Sequence, residues 1–509
     1  MRRNEPGKAE RQMDRKYVLA FDCGTTAVKA VVIDFDGTVI CDAKADYPLI
    51  QLHPGWAEQD PEILWAAICA TSIAVVGKAG IDGNQVIGLV FAAPWKNIIP
   101  ISADGQVLRN SIIWMDARAS DQAARLNDAA GSFVGTGQEY WPRLMWVKEQ
   151  EPEIWTKAKK ILGLNSFFKW KATGQIATEP SDDFIHAHNP AIQAYYDKVL
   201  QAAGLEKDLE KFPPMKLSTD EVGKLTDRAA SQMGLIAGIP VFGGFGDLPA
   251  ITIGTGCCQD DMVHIYFGTS SWLVDILRER KENYAPQYFT FDPTHEGGLF
   301  ALQTGCLAYD WAVEQFYHAE RQFLGDRIFA YVDQDLKEIP AGSENLIATH
   351  WLNGELPPLS KNAKAVFFNV TSNHDRRHMV HAIMESICYT HRRYLDQYEQ
   401  TNGKKLSSIR VVGGGAVSDL WMQMLADVLQ ITVEVPESPR YTGAMGAYYC
   451  AMVGLGNIRD YNAIHDAVHI EKTFAPRQEN AEIYNKLYPI YLKLHPALRD
   501  LYGQINGVY

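Results

Sequence analysis

Four short segments of this 509-residue chain carry residue types suited to gripping phosphate, and one carboxylate stands where it could take a proton. The first segment is Phe21-Asp22-Cys23-Gly24-Thr25-Thr26, an acid followed by a glycine and two hydroxyls. Glycine lets backbone N–H groups approach phosphate oxygens, the threonines add donors, and Asp22 can hold a magnesium ion through water. A similar run, Phe267-Gly268-Thr269-Ser270, lies far downstream, and a glycine-rich stretch ending in an acid, Gly243-Gly244-Phe245-Gly246-Asp247, precedes it. The third and fourth segments, Gly413-Gly414-Gly415-Ala416 and Gly443-Ala444-Met445-Gly446, each open a helical pattern, where N–H groups stand ready for an anion. One Gly-Thr turn is compatible with an ordinary hairpin. Four phosphate-compatible turns in this order are much harder to reach by accident. Asp247 is read as a general base, with capping of the following Leu248-Pro249-Ala250 as its rival role.

These residues need rigid supports. Residues 17–23 and 27–34 are apolar runs that read as two strands joined at the Gly24 turn, and Asp36-Gly37 turns the chain into a third. Helices are expected at 61–77, 117–127, 152–160, 165–173, 376–399, 420–429, 443–452 and 480–492. Strands are expected at 86–91 and 97–101. Asp116 reads as the cap of the helix beginning at 117 or as a ligand residue, roles that are compatible because a cap uses one carboxylate oxygen. Lys29, on the strand after the first turn, reads as a solvated or interlobe charge. The chain is too long for one ordinary domain, so two lobes are expected, 15–245 and 246–509, behind a disordered arm over 1–14, with Met13 as a candidate natural start.

A net charge of −13 argues against nucleic acid or an anionic membrane as partner, since either calls for clustered Lys and Arg. The opening residues lack the apolar centre of a signal peptide, and no later run is read as long enough to span a bilayer, so a cytoplasmic protein is expected. The eight cysteines show no Cys-x-x-Cys spacing and read as reduced, packed thiols. The fourteen histidines form no metal motif, and His374, His378 and His381 read as part of a charged helical surface.

Taken together, the segments resemble the FGGY sugar kinases of the actin-like ATPase superfamily, closest to the xylulose kinase-like members. The resemblance runs from about residue 17 to about residue 456. It implies an α/β protein of two actin-like (ribonuclease H-like) lobes with a cleft between them, using ATP and Mg²⁺ to phosphorylate a small sugar, polyol or sugar acid. It casts Gly24, Thr25 and Thr26 as the first phosphate motif and Gly268, Thr269 and Ser270 as the second. Gly413, Gly414, Gly415 and Ala416, with Trp421, Gln423 and Asp427, become the adenosine motif, and Ile113-Trp114-Met115-Asp116-Ala117-Arg118 the sugar-binding segment. Asp116 and Arg118 are then substrate residues, Asp247 the base, and Asp22 and Asp247 the magnesium ligands. Members are often homodimers.

The departures fall on specificity. Where relatives usually carry a sugar-binding Gln, this chain reads Pro94-Trp95-Lys96-Asn97: Trp95 can stack on a sugar face, Lys96 and Asn97 supply polar groups, and Lys96 either offers a cation to the substrate or points to solvent while Trp95 alone reshapes the pocket. Pro439-Arg440-Tyr441-Thr442 stands where an acid is more usual. The rival to a kinase is a non-catalytic nucleotide- or sugar-sensing relative of the same fold, which the intact acids and turns disfavour.

Overall fold

The computed structural model describes residues 16–281, 284–285, 287–356 and 359–507; the arm expected at 1–14 lies outside them. Strands Tyr17–Cys23 and Ala27–Asp34 pair antiparallel, Cys23 opposite Val28, which leaves Gly24-Thr25-Thr26 as the connecting turn. Asp34 accepts the N–H groups of Asp36 and Thr38, and Gly37 supplies the left-handed residue (φ +89°) that starts the third strand, Val39–Asp46. Tyr17–Cys23 is central, buried along its length except at Asp22, which accounts for its nearly unbroken apolar sequence. Its other neighbour, Val86–Ala93, runs parallel to it and therefore needs a crossover. The helix Pro61–Ala79 supplies one, capped by Asp60 and ended by Gly80 at φ +63°. By length and composition that helix could span a bilayer, which the sequence reading did not anticipate. Its Leu64, Ile68 and Val75 instead sit in the core beneath the sheet. The sheet is completed by Pro240–Phe242, Glu221–Lys224 and the short strand Phe245–Gly246, which pairs with Val86–Ala93.

A second seven-stranded sheet repeats the plan. Val263–Phe267 and Ser271–Leu277 form its central antiparallel hairpin, with Phe267 opposite Ser271, and Ser408–Val412 and Thr432–Pro436 follow in parallel. Its core gathers Ile265, Phe267, Ile383, Ile387, Trp421 and Leu425, the last four from the helices Arg376–Asn402 and Asp419–Leu429.

The chain folds as two compact units: Met1–Gly256 with Thr290–His295 and Gly443–His465, and Cys257–Phe289 with Glu296–Thr442 and Asp466–Tyr509. The helix Thr442–Gly454, assigned by sequence to the second lobe, is thus counted almost entirely with the first unit. Its small residues explain this. A Cβ at Gly446 would lie 1.8 Å from the Ala250 carbonyl oxygen and one at Gly454 2.4 Å from that of Thr219, so only glycine allows the approach. The helices Tyr140–Gln150, Pro190–Ala202 and Cys306–Phe316 were not anticipated.

Candidate active site

In the first unit the Gly24-Thr25-Thr26 turn is fastened from outside. Tyr47 donates its hydroxyl to the Gly24 carbonyl and its N–H to that of Thr26, and Gln59 Nε2 donates to that of Thr25 at 2.6 Å. Trp114, 42% exposed, donates its indole N–H to Thr25 Oγ1 at 3.2 Å. Beside the turn, burial raises the Asp22 carboxyl above its ordinary range, and Lys29, its cross-strand partner, opposes the rise. Lys29 is half-buried on the neighbouring strand. A Cβ at Gly443 would stand 3.0 Å from the Asp22 carboxyl atoms, so a glycine is what lets the start of the helix Thr442–Gly454 meet that acid.

Asp247 is the first residue of the helix Asp247–Gly254, after Gly246 as N-cap, and so does not cap it. Its Oδ1 accepts the Leu248 N–H at 2.9 Å. Burial pushes its carboxyl up to about 6, and the charge of Asp22 adds to the rise. Asp22 and Asp247 carry the hard carboxylate oxygens that suit magnesium, which takes one or two carboxylates and completes its shell with phosphate oxygens and water. Among the described residues no three His, Cys, Asp or Glu side chains gather as an all-protein metal cage. Trp95 comes to this loop: its Cε3 lies 3.7 Å from where a Cβ on Gly246 would stand.

Two expectations about side chains change. Asp116 does not cap a helix, because the helix starts later, at Ser120–Ala130 with Ala119 as cap. Asp116 is wholly buried, and neither oxygen is left over: Arg118 bonds both, Nε to Oδ1 at 2.9 Å and Nη2 to Oδ2 at 2.7 Å, while the Ala57 N–H adds a 2.5 Å bond to Oδ2. The acid locks the loop, and Arg118, stacked over Trp56 at 3.8 Å, keeps a buried Nη1 without a partner. Lys96 is not an open cation, since its ammonium pairs with Glu139 at 2.8 Å. Its main chain is strained to φ 60° and held at both ends, N–H to Asp182 at 2.8 Å and carbonyl to Arg143 at 2.8 Å. Asn97 is buried and donates to Ser111 Oγ at 3.2 Å.

In the second unit Gly268-Thr269-Ser270 joins the central hairpin, and Gly305 and Leu307 donate their N–H groups to the Thr269 carbonyl. Gly413, at φ +100°, lies so close that a Cβ on it would be 2.4 Å from the Phe267 carbonyl oxygen, and one on Gly415 would be 3.0 Å from the Phe267 Cβ. The two glycine turns named in the sequence are thus neighbours. Of the other adenosine-motif residues, Trp421 is buried against Phe267. Asp427 is also buried and accepts from Arg477 Nη2 and Asn480 Nδ2 at 2.7 Å, so its carboxylate is spent on packing. His378 and His381 are buried, bonded to Asp375 and Ser343, where a charged surface was expected.

The model of the FGGY family of carbohydrate kinases, N-terminal domain, matches residues 17–254, and that of the C-terminal domain matches residues 264–455. The chain is 26% identical to the xylulose kinase of Bacillus subtilis over 96% of its own length and 98% of that protein. It is also 26% identical to the L-xylulose/3-keto-L-gulonate kinase of Escherichia coli, over 96% and 99%. The crystal structure of ligand-bound xylulose kinase from Lactobacillus acidophilus superposes with a TM-score of 0.81 at 25% identity, covering 96% of this chain and 99% of that one. With both halves of the family matched in order and the mixed sheets of both units in place, the chain belongs to the FGGY family of carbohydrate kinases.

Proposed function

We propose that this carbohydrate kinase transfers the γ-phosphoryl group of ATP to a hydroxyl of a small ketose, with sugar acids as weaker acceptors, and that Asp247 removes the hydroxyl proton. The observation that carries the reading is the state of Asp247. Its carboxyl is raised to about 6, close enough to neutrality to be ionised at pH 7 yet basic enough to hold a proton in transfer. Phosphoryl transfer leaves the protein mainly positioning and charge stabilisation to supply, and a placed base adds roughly 10²–10⁴-fold. Trp95 gives the sugar an apolar face beside the base, and the Arg118 Nη1 is an unpartnered donor in the sugar-binding segment. Gly24, Thr25 and Thr26 in one unit, and Gly268, Thr269 and Ser270 in the other, are the phosphate turns. The Gly413-Gly414-Gly415-Ala416 turn serves the nucleoside. Asp22 and Asp247 would hold a magnesium ion, which supplies neutralisation of phosphate charge. Preference for a neutral ketose follows from Lys96: paired with Glu139, it presents no net charge to a carboxylate. The L-xylulose/3-keto-L-gulonate kinase relative supports keeping both acceptor classes in view.

A coupled assay of ADP release over D- and L-xylulose, other ketoses, polyols, gluconate and 3-keto-gulonate tests it. A ketose is expected to give the highest kcat/KM. Turnover on no compound, with binding intact, would favour the sensing role, and a sugar acid at the top would overturn the specificity argument.

A further inference from the structure

The turn that carries Asp247 is pinned by buried polar side chains that no motif pointed to. Asn165 Nδ2 donates to the carbonyls of both Phe91 and Phe245 at 2.9 Å, and Lys169 Nζ donates to the Gly243 carbonyl at 2.9 Å. Ser181 Oγ accepts the Gly246 N–H at 2.7 Å while donating to Glu179 Oε1 at 2.6 Å, and Glu179 Oε2 accepts the Ser181 N–H at 2.7 Å. All four side chains are buried, Lys169 and Glu179 wholly so. Placing an ammonium and a carboxylate in the interior is costly, and apolar side chains of similar volume would fill such a site at lower cost. Burial accordingly lowers Lys169 to about 8 and raises Glu179. What the polar set gains is placement, because its bonds converge on main-chain atoms of residues 243–246. The turn has no slack of its own: Gly244 sits at φ +68°, and a Cβ there would lie 2.2 Å from the Phe91 carbonyl oxygen.

We propose that Ser181, braced by Glu179, is a positioning residue for Asp247. Its hydroxyl fixes the Gly246 N–H, hence the first turn of the helix Asp247–Gly254 and the direction in which the Asp247 carboxyl faces the acceptor hydroxyl. The inference rests on the reading of Asp247 as base. Ser181→Ala removes one oxygen from this arrangement and leaves the fold's apolar packing in place. Because a misplacement of about 1 Å at a reacting group costs roughly 10²-fold, kcat is expected to fall about 10- to 100-fold with both KM values within about two-fold. The decisive measurement is the cycle of Ser181→Ala, Asp247→Asn and the double variant. If Ser181 acts through Asp247, the double variant retains the residual kcat of Asp247→Asn, whereas a purely structural role multiplies the two losses. Multiplied losses, KM values rising together with the fall in kcat, or an unchanged kcat in Ser181→Ala would each overturn the proposal. Full turnover in Asp247→Asn alone would instead sink the base assignment, so the two failures are told apart.

Discussion

Replacing Asp247 by Asn should remove catalysis and stabilise the protein, and both effects follow from one cause. The carboxyl is raised from 3.8 to about 6 chiefly by burial, with Asp22 adding to it. In the folded state the ionised form is therefore penalised relative to the unfolded chain. A folded-state value above the unfolded one means that the penalty is absent below about pH 4, grows as pH rises toward 6, and is complete above it. At 1.36 kcal/mol per pH unit the ceiling is about 3 kcal/mol, and the partial exposure of the side chain lowers the expected gain to about 1–2 kcal/mol. Asn keeps the oxygen that accepts the Leu248 N–H and carries no charge, so it should recover that energy at pH 8 and none at pH 4. At about 2–4 °C of melting temperature per kcal/mol for a unit of this size, the variant should melt a few degrees higher at pH 8. Its kcat should drop by at least roughly 10²-fold. In the parent, kcat/KM should fall on the acid side with a midpoint near 6, reporting the free enzyme's base. Thermal unfolding at the two pH values, together with the pH–rate profile, checks the reasoning. An Asn variant with equal stability gain at both pH values, or with parental turnover, refutes it.

Asp22→Ala should abolish magnesium-dependent turnover and weaken Mg-ATP binding more than acceptor binding, as calorimetry on each ligand would show; equal losses would make Asp22 merely structural. Gly443→Ala puts a methyl 3.0 Å from the Asp22 carboxyl, so the KM for Mg-ATP should rise several-fold with little change in melting temperature. An unchanged KM would show that the helix start can yield. Lys96→Ala leaves Glu139 unpaired, so kcat/KM for sugar acids should fall about ten-fold more than for neutral ketoses. An unchanged ratio of kcat/KM for sugar acids to that for ketoses would show that Lys96 does not reach the acceptor.

Local needs were legible and distant ones were not. Gly413 stands out because one backbone lies on another there, a Cβ falling 2.4 Å from the Phe267 carbonyl oxygen, and that requirement is written in a single residue. The central strand was equally plain, since burial on both faces demands an unbroken apolar run. Asp116 was misread because an acid just before an Ala-rich stretch satisfies the rules for a cap, while its actual partner, Arg118, competes from within the same loop. Lys96 depends on Glu139, and the short apolar spacing that reveals helices carries no information about which charge lies opposite. The packing partner of the helix Thr442–Gly454 was hidden for a related reason: glycines at 446 and 454 signal a close approach without naming the carbonyl approached.

The same logic explains why the support of the Asp247 turn was invisible. Lys169 lies in a helix whose sequence, LNSFFKWKAT, also places Lys171 at its end, and nothing local separates the lysine that is wholly buried from the one paired to Glu62 near solvent. Glu179 and Ser181 read as an ordinary polar loop. Their roles arise only when the strand Val86–Ala93, the helix Leu164–Thr173 and the turn before Asp247 meet, and each contributes main-chain atoms or side chains to the same few bonds. The cluster is not fully satisfied, since Asn165 Oδ1 is buried without a partner, which adds to its desolvation cost. The cycle between Ser181 and Asp247 therefore asks a question that sequence could not pose: whether the cost of four buried polar groups is returned in the placement of one carboxylate.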